Sequence, residues 1–219
     1  MALIDNIEVL TQSSIRIPGE GKVLYFDPFS VDRAYADGDI IFITHDHYDH
    51  FSPKDIGKVA KPGAVLVVPK CLKEKAEELC GCKDAVISKY YVMEPGSFKE
   101  IAGFEVSAIP AYNIIKAFHP KSSGYLGYLV RIEGKRVYVA GDTDSTKEAK
   151  AVRCDIALIP IGGTYTMDAK KAAELIDEIR PEYAIPTHYG SIVGKREDED
   201  IFKKHIKTPV KVVTKIKFM

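Results

Sequence analysis

From its first residues the chain alternates short apolar runs with turn-forming clusters. Residues 7–10, 14–17 and 23–26 are brief runs rich in β-branched and aromatic side chains, broken at Pro18-Gly19-Glu20-Gly21, and they predict three strands. Residues 40–44 form a continuous apolar run, the pattern of a strand buried on both faces. Ser52-Pro53-Lys54-Asp55 reads as a helix start with proline in the first turn, and predicts a short helix to Val59. A strand at 64–68, a charged helix at 71–79 and strands at 85–92 and 104–109 follow. Residues 125–132 and 136–140 flank Glu133-Gly134-Lys135, a strong hairpin signal. A strand at 155–161 ends in Gly162-Gly163. Ala172, Leu175, Ile176 and Ile179 recur at helical spacing within 167–179, and Pro181 stops that helix. A short strand at 183–186, a helix at 198–206 and a strand at 210–218 complete the pattern. Two packed sheets with helices outside would bury it. No internal repeat or low-complexity stretch divides the chain, so a single domain over residues 1–219 is expected.

Composition and charge narrow the function classes. The chain is 46% hydrophobic and 28% charged, enough for a substantial core under an ordinary polar surface. Lys plus Arg equals Asp plus Glu at 31 each, so no bulk basic field argues for a nucleic-acid partner or an anionic membrane. No apolar run approaches the ~20 residues that span a bilayer, and residues 1–6 lack the features of a signal peptide; a cytoplasmic location is expected. The four cysteines do not alter this. Cys80-Gly81-Cys82 lacks the spacing of a zinc knuckle or a redox pair, and Cys154, beside an apolar run, reads as a small buried residue.

The unusual chemistry sits just past the apolar strands. Residues 44–50 read Thr-His-Asp-His-Tyr-Asp-His and hold three of the six histidines. His45 and His47, two apart at a fraying strand end, can leave the same face. Asp49 and His50 follow as the chain turns away. This is a dense donor set for a borderline cation such as zinc, manganese or iron, and a costly one without a cation. Two further clusters stand in the same relation to strands: Gly141-Asp142-Thr143-Asp144 and Thr187-His188-Tyr189-Gly190. Together they allow a pair of ions, one on His45 and His47, a second on Asp49, His50 and His188, with Asp142 bridging. Asp27 reads either as an Asp-Pro turn residue or as a carboxylate orienting a ligating histidine. Tyr48 and Tyr189 flank donors and read as pocket rim or as packing.

In order and separation, His45-x-His47-x-Asp49-His50, Gly141-Asp142-Thr143 and Thr187-His188-Tyr189-Gly190 resemble the metallo-β-lactamase superfamily. The segments Tyr25-Phe26-Asp27-Pro28-Phe29 and Ile161-Gly162-Gly163-Thr164-Tyr165-Thr166-Met167 are similar to its branch of small metal-dependent hydrolases that includes the L-ascorbate-6-phosphate lactonases. The resemblance implies an α+β fold, an αββα four-layer sandwich of two mixed sheets flanked by helices, with metals at one edge between the sheets. Superfamily members usually supply another histidine to the first metal, in the lactonase-like branch from a Pro-Ala-x-His stretch. Here that stretch reads Pro110-Ala111-Tyr112-Asn113. His119, six residues on, is expected to fold back as the missing ligand. Asn113 then becomes a substrate contact or a support for a ligand, and Thr187, beside His188, falls in the same class. His205 reads as a surface residue.

The activity implied is hydrolysis by a hydroxide held on two divalent ions, zinc first, with manganese or iron as alternatives. Its target is an ester, lactone, amide or phosphoester of a small molecule, a sugar-phosphate lactone being the family's suggestion. Asp49 is expected to orient the hydroxide and carry a proton to the leaving group. Lys54, Lys116, Lys121 and Lys195 are loop candidates for holding an anionic group. Flavodiiron relatives carry a glutamate where this chain has His47, which favours hydrolysis over redox chemistry, and the neutral charge argues against a nuclease. Asn113 keeps open a different class, a metabolite sensor or structural metal protein without turnover. A small-molecule substrate is the expected partner, and a homo-oligomer is left open because small members of the family often associate.

Overall fold

The computed structural model describes residues 2–82 and 85–217. After a single helical turn α1 (Leu3–Asn6), strands β1 (Glu8–Thr11), β2 (Ser14–Gly19), β3 (Lys22–Phe26), β4 (Gly38–Phe42), β5 (Ala60–Pro69) and β6 (Ile87–Met93) form one sheet in sequence order, with helices α2 (Pro53–Val59) and α3 (Lys73–Gly81) in its connections. The second sheet is built from β7 (Phe98–Ile101), β8 (Phe104–Pro110), β9 (Leu126–Ile132), β10 (Lys135–Val139), β11 (Ile156–Pro160), β12 (Tyr183–Thr187) and β13 (Lys211–Val212). Helices α4 (Lys147–Lys150), α5 (Ala169–Ile179) and α6 (Asp198–His205) belong to its connections. Both sheets are mixed. Strands β3 to β6 run parallel, as do β10 to β13, and the remaining pairs are antiparallel.

Strand alternation builds the layers. Ile40 and Phe42 of β4 join Phe26, Val67, Tyr128 and Val130 in the core between the sheets, where the Phe42 and Tyr128 rings lie 5.1 Å apart. Their neighbours Ile41 and Ile43 turn to the opposite face and pack with Leu66 and Val68 against Ile56 and Val59 of α2, Leu72 just before α3 and Ala76 within it. Ala172, Leu175, Ile176 and Ile179 of α5 are buried with the all-apolar β11. The result is the expected four-layer αββα sandwich. Among the described residues no helix is long and apolar enough to cross a membrane.

The local signals act as read. Pro53 opens α2 behind a Ser52 cap whose hydroxyl accepts the Asp55 N–H, and Glu133 and Gly134 both take positive φ, 50° and 74°, as a two-residue hairpin turn requires. Other segments differ, the short helices α1 and α4 among them. Strand β5 starts at Ala60, four residues early, because a register break against β4 absorbs Lys61-Pro62-Gly63 and Ala64. Strand β7 carries no apolar alternation: three of its four residues are exposed at the sheet edge. The strand expected at 210–218 reduces to Lys211–Val212 plus a bridge from Ile216 to Val9, and Phe218 lies outside the described residues.

Candidate metal centre

All the candidate donors but His119, which lies in the loop between antiparallel β8 and β9, follow the carboxyl ends of parallel strands, where loops from neighbouring strands converge. Phe26 and Phe42 are register partners at the ends of β3 and β4, and Asp27 and Thr44 follow them. Asp27 takes a left-handed backbone, φ 44°, and its carboxylate turns across the sheet end. Oδ1 accepts the Thr44 N–H at 2.8 Å, and Oδ2 accepts the Thr44 hydroxyl at 2.7 Å and His50 Nδ1–H at 2.7 Å. From the second sheet, β10 delivers Asp142, and β12 delivers His188, itself left-handed at φ 56°. Two glycines allow this approach. A Cβ on Gly141, which has φ 64°, would meet the Leu126 carbonyl at 2.8 Å, and one on Gly162 would meet the His188 carbonyl at 2.2 Å.

Hydrogen bonds then set the imidazole tautomers. The Thr44 hydroxyl commits its proton to Asp27, so at 2.9 Å from His45 Nδ1 it receives that ring's N–H and leaves Nε2 with a free lone pair. His119 is buried beside Asn113, whose amide nitrogen donates to the Tyr165 carbonyl at 2.9 Å. That fixes the amide oxygen toward His119, where it lies 3.1 Å from Nδ1 and accepts the backbone N–H at 3.2 Å. His119 Nε2 is therefore also free. Both free nitrogens face His47 Nδ1, at 3.1 and 3.2 Å. One proton on His47 serves only one of them; a cation accepts all three.

Asp49, His50, His188 and Asp142 form the adjoining group. Asp142 Oδ1 lies 3.4 Å from His50 Nε2, and its Oδ2 lies 3.3 Å from His188 Nε2 and 3.5 Å from His119 Nε2. Asp49 Oδ2 is 3.5 Å from both His50 Nε2 and His188 Nε2. These spacings are wide for hydrogen bonds, but a tetrahedral ion with bonds of about 2.1 Å separates its donors by about 3.4 Å. Three donor triplets bring their ligand atoms within 4.8 Å of one another: His45, His47 and His119; His45, His50 and Asp142; Asp49, His50 and His188. Buried side-chain atoms lacking any hydrogen-bond partner include His50 Nε2, Asp142 Oδ1 and both ring nitrogens of His188, a concentration that calls for an explanation.

Electrostatics points the same way. Burial, reinforced by the neighbouring imidazoles, holds His45 well below the ordinary histidine range. Burial likewise pushes His119 down to about 4, against the pull of Asp142. Both rings are neutral at pH 7, the form that binds a metal. His50 goes the other way. Burial lowers it, but Asp142, Asp27 and Asp49 together outweigh burial and raise it to about 9. Three buried carboxylates thus draw a proton onto His50 where positive charge is needed. The donor set fits one or more divalent cations.

A cleft of about 210 Å³ opens onto this cluster, lined by His47, Tyr48, Asp49, Phe118, Asp142, Tyr165 and Ile192. Tyr48 is exposed at its rim, whereas Tyr189 is buried and its hydroxyl donates to Glu199 at 2.7 Å. Thr187 is buried at the end of β12, and its carbonyl accepts the Ile161 N–H at 3.0 Å. None of the four candidate lysines lines the cleft: Lys116 donates to the Gly163 and Thr166 carbonyls, Lys121 pairs with Glu148, and Lys54 and Lys195 are exposed. His205 sits half-buried on α6 with its ring against the Ile201 carbonyl. All four cysteines are free, and Cys154 is buried. Sequence reasoning missed Thr44, the relay between Asp27 and two histidines, although it directly precedes the motif. It also missed the Phe118, Tyr165 and Ile192 wall, which loops assemble without any periodic signal.

A family model described as a beta-lactamase superfamily domain matches residues 6–188. A UPF0173 metal-dependent hydrolase of Aeropyrum pernix is 36% identical over 218 residues, covering 90% of this chain and 87% of that protein. Among solved structures, a candidate metal-dependent hydrolase from Parabacteroides distasonis is similar with a TM-score of 0.82 at 27% identity, over 96% of this chain and 93% of the other. A metallo hydrolase from Ignicoccus hospitalis shares the fold, with a TM-score of 0.77 at 23% identity over 96% and 94% of the two chains. The chain belongs to the metallo-β-lactamase superfamily, in its UPF0173 family of metal-dependent hydrolases.

Proposed function

We propose that this metal-dependent hydrolase cleaves an ester, lactone, amide or phosphoester of a small substrate with two divalent cations, zinc first and manganese or iron as alternatives. His45, His47 and His119 would hold one, Asp49, His50 and His188 the other, and Asp142 lies within reach of both groups. The observation that carries this reading is the convergence of three imidazole nitrogens at 3.1 and 3.2 Å, with the opposite nitrogens of His45 and His119 held by Thr44 and Asn113. When bound, divalent cations polarise a carbonyl or phosphoryl oxygen and bring the pKa of water toward neutrality.

The chain's own residues do the rest. Asp49 borders the cleft, so its carboxylate can orient the attacking water, take its proton and give that proton to the leaving group. Asp27, Thr44 and Asn113 lock the imidazoles in their ligating tautomers, and Thr187 holds the end of β12 that presents His188. A lactone is the bond suggested by the segments at 25–29 and 161–167. The feature that kept a non-catalytic sensor open, Asn113 in place of a histidine, is accounted for by its grip on His119.

Chelation with EDTA should abolish hydrolysis of a panel of lactones, aryl esters and phosphodiesters, and zinc, manganese or iron should restore it. Turnover that survives complete metal removal would overturn this reading.

A further inference from the structure

Resting on that hydrolytic reading, we propose that the substrate is uncharged and carries a short apolar arm seated on Phe118, Tyr165 and Ile192. Apart from the candidate metal donors, the described lining of the cleft is dominated by aromatic and aliphatic side chains. Its only charged lining side chains are Asp49 and Asp142, both among the candidate metal donors. No lysine or arginine is among the described residues lining it. The nearest cation by sequence, Lys116 two residues before Phe118, is spent on the Gly163 and Thr166 carbonyls. A phosphate on the substrate would find no lysine or arginine partner among the described lining residues.

The apolar wall, by contrast, is built and left to water. Phe118 and Ile192 are 48% and 40% exposed, and Tyr48 across the rim is 67% exposed. Large apolar side chains gathered beside polar groups mark a binding surface. The wall is also preformed. Phe118 and Tyr165 meet edge to face with centroids 4.7 Å apart. Asn113 ties the Tyr165 carbonyl to the His119 loop at 2.9 Å, and Lys116 clamps the same two loops together. Phe118 directly precedes His119, so an arm against its ring brings the attached carbonyl beside the donor cluster. At about 210 Å³ the cleft is below the range of about 300–1,000 Å³ for drug-sized ligands, which limits the arm to a few carbons or one aryl ring.

The test compares γ-lactones bearing methyl and pentyl arms with 6-phosphogluconolactone on the zinc-loaded protein. It also measures calorimetric binding of the inert ketones 2-methyl- and 2-pentylcyclopentanone. Each buried methylene contributes about fourfold, so burying two or three gives the pentyl compound a preference of about tenfold or more, in kcat/KM and in ketone affinity. Phe118→Ala should cut both ratios below about threefold, while Phe118→Leu keeps most of the preference. A preference for the phosphorylated lactone, ratios unmoved by Phe118→Ala, or no binding of either ketone would overturn the proposal. If the hydrolytic reading fails instead, no lactone turns over, yet the ketone preference and its loss in Phe118→Ala persist.

Discussion

Replacing Asn113 by alanine isolates the step that completes the three-histidine group. The Asn113 oxygen accepts from both His119 Nδ1 and the His119 backbone N–H, at 3.1 and 3.2 Å, and its nitrogen donates to the Tyr165 carbonyl at 2.9 Å. Asn113 and His119 are both buried, so truncation leaves several groups without partners, at about 1–3 kcal/mol each before relaxation. It also frees the imidazole to rotate or change tautomer. Loss of a residue that orients a ligand weakens metal binding by about 10–100-fold, or about 1.4–2.8 kcal/mol. Only the ion on His45, His47 and His119 should suffer. A competitive titration with a chromophoric chelator reads both binding steps. Wild type should take up two ions, and Asn113→Ala should retain one step and weaken the other by that factor. Asp27→Asn, which disturbs both the 2.7 Å contact to His50 and the Thr44 hydroxyl that sets the His45 tautomer, should instead weaken both steps. Two unchanged steps in Asn113→Ala, or equal loss from both, would refute the assignment of His119.

Other outcomes test other links. Metal removal should lower Tm, because the buried carboxylates lose their cations, and metal at about 100 times its Kd should return about 2.7 kcal/mol; a Tm indifferent to EDTA would deny the coupling. Asp55 ties α2 to the preceding loop, accepting from Ser30 and Val31 N–H and from Lys58. Its burial works against ionisation, but Lys58, Ser52 and the Val31 N–H outweigh burial and hold it below the usual carboxylate range. A depressed folded-state value contributes stability above the unfolded pKa of about 4 and loses it as pH falls further. Denaturation of Asp55→Asn should therefore show a deficit of about 2 kcal/mol at pH 7 that narrows below about pH 4, and a deficit constant with pH would contradict this. Gly162→Ala forces a Cβ to within 2.2 Å of the His188 carbonyl, so it should cost about 1–3 kcal/mol and weaken the ion on His188; metal affinity equal to wild type would show that the carbonyl yields freely.

The parts of the fold and centre legible in the sequence are those with local signatures. Ile40 to Phe42 announced a buried strand because both its faces are covered, and the following heptapeptide carries four candidate donors within six residues. Its hairpin was readable because Glu133-Gly134 needs positive φ. Strand β7 was not, since Phe98-Lys99-Glu100 is held by edge pairing rather than by burial. His119 entered only through the resemblance. Nothing local marks it, because a side-chain amide six residues away directs its ring. The cleft wall is similarly non-local: Phe118, Tyr165 and Ile192 come from three separate loops, and only the fold brings them to one place.

The central claim, two cations on the two donor groups, is tested most directly by anomalous scattering at the zinc edge from crystals of the zinc-loaded protein. The account predicts two peaks, one bonded by His45, His47 and His119, the other by Asp49, His50 and His188, with Asp142 reaching both. A single peak, or a His119 ring turned out of the cluster, would contradict it.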